Sequence, residues 1–206
     1  MVMRGSLLLV LLIVYNLAHA EVAMKDIPPP LGLRWGEGIS DLTKYNGAKI
    51  IVKSGRYALL SIENTPVKIP GFEVKGLVND KYGLVKVEIK KDIIDDIYGA
   101  EGVELYEKYK KVLEGKYGKP KPSYEYIGRS LYKEKDEFYQ CLSYSGCGQY
   151  ISFFFPVKDS HMTISLELKG ERRGRGRLEM VYESQAFMNA KSEDANEEKD
   201  AIKNGL

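Results

Sequence analysis

The sequence predicts an α+β fold: an antiparallel β-sheet built from hairpins, carrying two or three helices and one disulfide. Three observations point there. Segments rich in valine, isoleucine and tyrosine alternate apolar with charged side chains, as in "FEVKG" and "VKVEIKK", which is the pattern of a sheet with one buried and one wet face. These segments come in pairs separated by glycine-containing turns, a hairpin signal. The chain's 2 cysteines, Cys141 and Cys147, lie close together in a sequence that opens like that of an exported protein.

The opening "MVMRGSLLLVLLIVYNLAHA" carries Arg4, an unbroken apolar run from Leu7 to Tyr15, and small residues at Ala18 and Ala20. This layout predicts a signal peptide over residues 1–20 with cleavage after Ala20. The run is too short to cross about 30 Å of hydrocarbon as a helix. No cysteine follows it to take a lipid anchor, and no later segment is apolar enough to span a bilayer. The expectation is an exported protein, periplasmic or secreted, with no transmembrane segment in the mature chain. One α+β domain is expected over residues 21–184, then a charged helix or tail over 185–206. The formal net charge of +2 falls nearer neutral once Arg4 is removed, so no global field steers the protein toward nucleic acid or an anionic membrane.

In chain order, "EVAMKDIPPP" predicts an extended, loosely held lead segment. Ile39, Leu42 and Tyr45 recur at helical spacing before Asn46-Gly47, which predicts a short first helix. Trp35, just ahead, reads as its anchor to the core. "AKIIVKSGRYALLSIEN" predicts two strands joined at Ser54-Gly55, and Phe72 to Ile89 predicts two more around a turn within Asn79 to Gly83. In "GAEGVELYEKYKKVLEGKYGKP", Val103, Tyr106, Tyr109, Leu113 and Tyr117 share a stripe opposite Glu and Lys, and Gly118 with Pro120 ends it: the longest helix, its tyrosines read as core. "SYEYIGRSLYKE", "EFYQCLSY", "GQYISFFFPV", "HMTISLELKG" and "RGRLEMVYES" predict about five strands. Ser184 is positioned to cap a last helix, acidic and poor in large apolar residues, expected to be solvated and fraying.

Two cysteines in an oxidising compartment are most simply a disulfide. The spacing is C-x5-C rather than C-x-x-C, and His161 is the one histidine left after cleavage, so a zinc site cannot be completed. Ser143, Ser145 and Gly146 supply turn residues, which predicts a bridge between Cys141 and Cys147 clamping a hairpin-like loop. Closing that loop contributes about 2.4 kcal/mol on a chain-entropy view.

The stretches "GLRWG" (Gly32–Gly36), "KYGKP" (Lys116–Pro120) and "LEMVYES" (Leu178–Ser184) resemble segments of small uncharacterised exported bacterial proteins. That group has a Gly-Trp-Gly lead-in to a short helix, a long helix ending in a Tyr-Gly-x-Pro turn, and a final strand before a polar helix. Here Glu37-Gly38 stands where the group has methionine and serine. The resemblance implies no catalytic residues. A further likeness is to small periplasmic scaffold subunits of outer-membrane assembly.

Chemistry is sparsely signalled. There is no phosphate loop, dinucleotide fingerprint, zinc helix motif, calcium loop or serine-nucleophile elbow, so no cofactor is expected. His161 reads as a surface or edge residue. Adjacent carboxyls such as Asp95-Asp96 leave open a carboxylate hydrolase, though at a helix start they also suit the helix dipole. One cluster stands out: "GERRGRGR", with Arg172, Arg173, Arg175 and Arg177. It is either a glycine-rich turn with solvated arginines or a receptor for anions, which after export means lipid phosphates, lipopolysaccharide, cell-wall polymers or an acidic partner. The sequence thus predicts a non-catalytic binding or scaffold module of the bacterial cell envelope, acting on an envelope protein or anionic envelope component and not on nucleic acid. An inhibitor-like or immunity-like protein that blocks a partner is the alternative, with the small hydrolase behind it.

Overall fold

The computed structural model describes residues 26–129, 131–156 and 162–205. The expected signal peptide, its cleavage position at Ala20, and His161 lie outside them. The elements are α1 (Ile39–Asn46), β1 (Lys49–Ser54), β2 (Tyr57–Ser61), β3 (Glu73–Asn79), β4 (Gly83–Ile93), α2 (Ala100–Tyr117), β5 (Ser123–Tyr126), α3 (Phe138–Ser143), β6 (Gln149–Phe154), β7 (Ile164–Arg172), β8 (Arg175–Glu183) and α4 (Gln185–Gly205).

The strands form one 8-stranded antiparallel sheet in the order β1-β2-β3-β4-β8-β7-β6-β5. This is two four-stranded meanders meeting where β4 pairs with β8, from Lys86 opposite Glu183 to Ile93 opposite Gly176. The alternation read in the sequence sorts the two faces. Val87, Ile89, Leu166, Leu168, Leu178 and Met180 are buried in a core shared with Leu42 of α1, Tyr106 and Leu113 of α2, and Tyr139 of α3. The opposite face carries a lattice of ion pairs centred on Glu179, which is reached by Lys90 at 2.9 Å and also by Lys169.

The tyrosines of α2 do core work, as their spacing predicts. Tyr106 is fully buried, Tyr109 packs edge-on against Phe72 at 5.2 Å between ring centroids, and Tyr117 packs against Tyr182. Trp35 is half-buried on the core and donates Nε1–H to the Ile27 carbonyl at 2.6 Å. Ile27 is itself fully buried, so the lead segment is pinned there rather than loosely held.

Two expectations about the region around the cysteines also need correction. "EFYQCLSY" is not a strand; Phe138–Ser143 is a short helix that follows directly on a 3-10 turn, Lys135–Glu137, whose start is closed by a capping box between Glu134 and Glu137. Phe138, Tyr139 and Cys141 are buried by turning inward helically, and this bulk packs onto β7, so the helical period wins over the β propensity of the aromatics. The Cys141–Cys147 disulfide is formed, with Cα atoms 5.1 Å apart, but it does not clamp a hairpin. It staples the end of α3 to the lead-in of β6. The sheet therefore has eight strands, and four α-helices accompany it.

The acidic last helix is only partly solvated. Ser184 caps it, accepting from Phe187 N–H at 3.2 Å and donating to the Val85 carbonyl at 2.8 Å. Phe187 and Ala190 are buried. Further along, Tyr57 donates to Asp194 at 2.5 Å, Arg56 pairs with Glu197 at 2.6 Å, and Lys81 and Tyr82 both reach Glu193 at 2.6 Å. Beyond Asp194 the described helix residues are exposed.

Candidate anion-binding site

The glycines of "GERRGRGR" have structural causes. Gly174 sits at φ +69 in the β7–β8 turn, a conformation that favours glycine. Gly170 and Gly176, opposite each other in the ladder, leave room for α3: a Cβ on Gly170 would strike the Tyr139 carbonyl oxygen, and one on Gly176 would strike the Tyr139 ring. The hairpin is thus shaped to receive Tyr139.

Tyr139 carries the hairpin to its neighbour. Its hydroxyl donates to Asp96 Oδ2 at 2.8 Å, and the same oxygen accepts Gly102 N–H, at 2.9 Å, in the first turn of α2. Asp96 N–H in turn donates to the Gly174 carbonyl at 3.1 Å. Burial, and then the adjacent Asp96 carboxylate, push the Tyr139 hydroxyl's pKa up, so it remains a donor at any ordinary pH. The loop from β4 to α2 is therefore locked against the hairpin tip. Of the two adjacent carboxyls, Asp96 is occupied in this framework, while Asp95, at φ +60, faces the cleft.

The four arginines divide into two pairs. Arg173 is bound to Asp136, and Arg177 to Asp92 at 2.7 Å and Glu171 at 2.8 Å. The Asp92 hydrogen bond is the main reason the Arg177 pKa is raised further. Arg172 and Arg175 face each other across the ladder, both exposed, and among the described residues neither makes an ion pair. Like charges set directly opposite one another repel. Together with Asp95, Ile97, Arg173 and Gly174 they line an open cleft of about 550 Å³. Ile97 puts an exposed apolar side chain on the cleft, and Ile94 and Tyr98 are exposed on the same loop, features the sequence reading missed. The signal was present in "IIDDIY", where apolar residues continue past the end of the strand period.

A second polar cluster ties β5 and β6 to α2. Tyr106 and Ser123 hydroxyls meet Ser152 Oγ at 2.6 and 2.7 Å, Ser123 also reaches Glu125 at 2.7 Å, and Lys110 pairs with Glu125. Burial raises the Glu125 pKa, but Lys110 and Ser123 outweigh it and leave it lowered; burial lowers that of Lys110, and Glu125 more than restores it. Each is held in its charged form, which suits a strut. Among the described residues no group of three or more His, Cys, Asp or Glu could hold a metal ion, and no helix is long and apolar enough to cross a membrane.

No protein-family model, curated protein or solved structure matches the chain.

Proposed function

We propose that the protein is an exported, non-catalytic binding module of the bacterial cell envelope that receives an anionic group between Arg172 and Arg175. The observation that carries this reading is the opposed arginine pair: two guanidiniums on neighbouring strands of a fixed hairpin, neither in an ion pair among the described residues, with Asp95 the one carboxylate lining their cleft. An anion held by both would turn repulsion into two charge-assisted hydrogen-bonded contacts. Preorganisation by Tyr139, Asp96 and the disulfide-held α3 reduces what binding must spend on ordering. Export is supported by the leader pattern, by the formed disulfide and by the resemblance to small exported proteins. The exposed Ile97 beside the arginines, with Ile94 and Tyr98 exposed on the same loop, favours as a second reading an acidic protein partner, since aromatic and arginine side chains are enriched where proteins meet.

The test is binding of the mature protein to anionic vesicles, to lipopolysaccharide and to acidic envelope proteins. Changing Arg172 and Arg175 together to Gln should abolish binding with folding intact, whereas Lys at both sites should restore it only in part, because the guanidinium fork is lost. Wild-type binding should weaken as salt rises, exposed charges being screened over about 8 Å at physiological ionic strength. Undiminished binding of the Gln variant to each of these anions would refute the reading.

A further inference from the structure

Strand β1 is one edge of the sheet, and it is exposed along its whole length, Lys49–Ser54. Three consecutive large aliphatics, Ile50, Ile51 and Val52, are 45%, 51% and 52% exposed. Ile50 pairs with Leu60, whose side chain belongs to the core face, and Val52 pairs with Leu59 on the other face; Ile51 is the extra residue of a bulge between them. The edge therefore offers apolar side chains to both faces. Among the described residues, no backbone hydrogen bond beyond those to β2 reaches Lys49–Ser54.

We infer that β1 is a docking edge for an extended segment of another protein, one with an apolar centre flanked by acidic residues. Backbone groups on the outer edge would supply affinity by strand addition, and the flanks would supply selectivity. The charge pattern argues for this occupant over a second copy of the chain. Two copies paired antiparallel about Ile51 would set Lys49 of each against Lys53 of the other, and registers shifted by one would set a lysine against an aliphatic side chain. Lysines and bulges at an edge discourage pairing of like with like. They do not discourage a strand of opposite charge. Lys49 has Glu63 as a partner at 2.5 Å, while Lys53 has none among the described residues and is the lysine most available to an incoming carboxylate. This surface is separate from the arginine hairpin, and neither inference depends on the other.

The experiment titrates the isotope-labelled mature protein with two short synthetic peptides, each with an alternating valine–threonine centre, one flanked by aspartates and one by lysines. Amide shifts and slowed hydrogen exchange at Lys49–Ser54 are expected with the aspartate peptide. Binding should be roughly three- to tenfold weaker with the lysine peptide, as opposite-charge cross-strand pairs become like-charge ones. Lys53→Glu should reverse that preference, and Ile51→Lys, at an exposed position, should abolish binding without altering the unfolding midpoint. Failure of the aspartate peptide to bind, or equal binding of both peptides, overturns the inference. So does a concentration-dependent dimer abolished by Ile51→Lys, which would make the occupant a second copy.

Discussion

Tyr139 is one residue joining three elements: its ring and main-chain carbonyl fill the space over Gly176 and Gly170, and its hydroxyl holds the Asp96 carboxylate that accepts from the first turn of α2. The fit depends on the missing Cβ atoms, since no flexible side-chain end is available to yield. Gly176→Ala is therefore expected to destabilise the protein by about 1 to 3 kcal/mol, as overpacking does. Gly115→Ala is the matched control. Gly115 lies in α2 with nothing within 4 Å of an added Cβ, so alanine there should stabilise by roughly 0.5 to 1 kcal/mol through helix propensity. Urea unfolding of both variants measures the pair, and a shift of the same sign at both positions would contradict the packing argument.

At the scale of elements, α3 and the central strands are held by different means. The Cys141–Cys147 bridge fixes α3 to the lead-in of β6, so Cys141→Ser should lower stability by roughly 2 to 4 kcal/mol, and thiol titration of the unfolded, unreduced mature chain should find no free cysteine. Strands β4, β8 and β7 are joined on their outer face through Glu179. Burial raises that carboxyl's pKa, but hydrogen bonds from Lys169 and Lys90 and their charges outweigh it, leaving the pKa below its usual 4.5. A folded pKa lowered in this way contributes stability above the unfolded value and loses it as pH falls through the folded one. Glu179→Gln, which leaves Lys90 with Glu88 alone and Lys169 with Glu167 alone, should cost about 1 to 2 kcal/mol at pH 7. Repeating the denaturant titrations at successively lower pH should show that cost shrinking below 4.5 and nearly gone once wild-type Glu179 is protonated.

For the whole molecule, two meanders share one core, and α4 closes the far side of the sheet near the β1–β2 and β3–β4 turns. Its buried anchors, Phe187 and Ala190, come early, and its polar clamps end at Glu197. Truncation after Glu197 should leave the thermal midpoint within a degree or two, since the remaining described residues are exposed. Truncation after Ser184 should lower stability by about 3 kcal/mol or more, because it uncovers the Phe187 site and unpairs Arg56, Lys81 and Tyr57 together. Equal midpoints for the two truncations would return α4 to a merely solvated tail.

The α+β class, most strands, three of the helices and the disulfide partners were legible along the chain, because period-2 and 3.6-residue patterns, caps and turns are local and survive without knowledge of neighbours. So was the arginine turn. Only contacts from elsewhere in the fold tell its four arginines apart. Asp136 and Asp92 neutralise Arg173 and Arg177 from other elements, which leaves Arg172 and Arg175 as the candidate receptor. The helical state of "FYQCLS" was likewise settled by packing on β7, where aromatic bulk that would suit a strand buries better turned inward. Charge compensation and burial depend on which distant residues the fold brings within a few ångströms, and no local pattern along the chain records that.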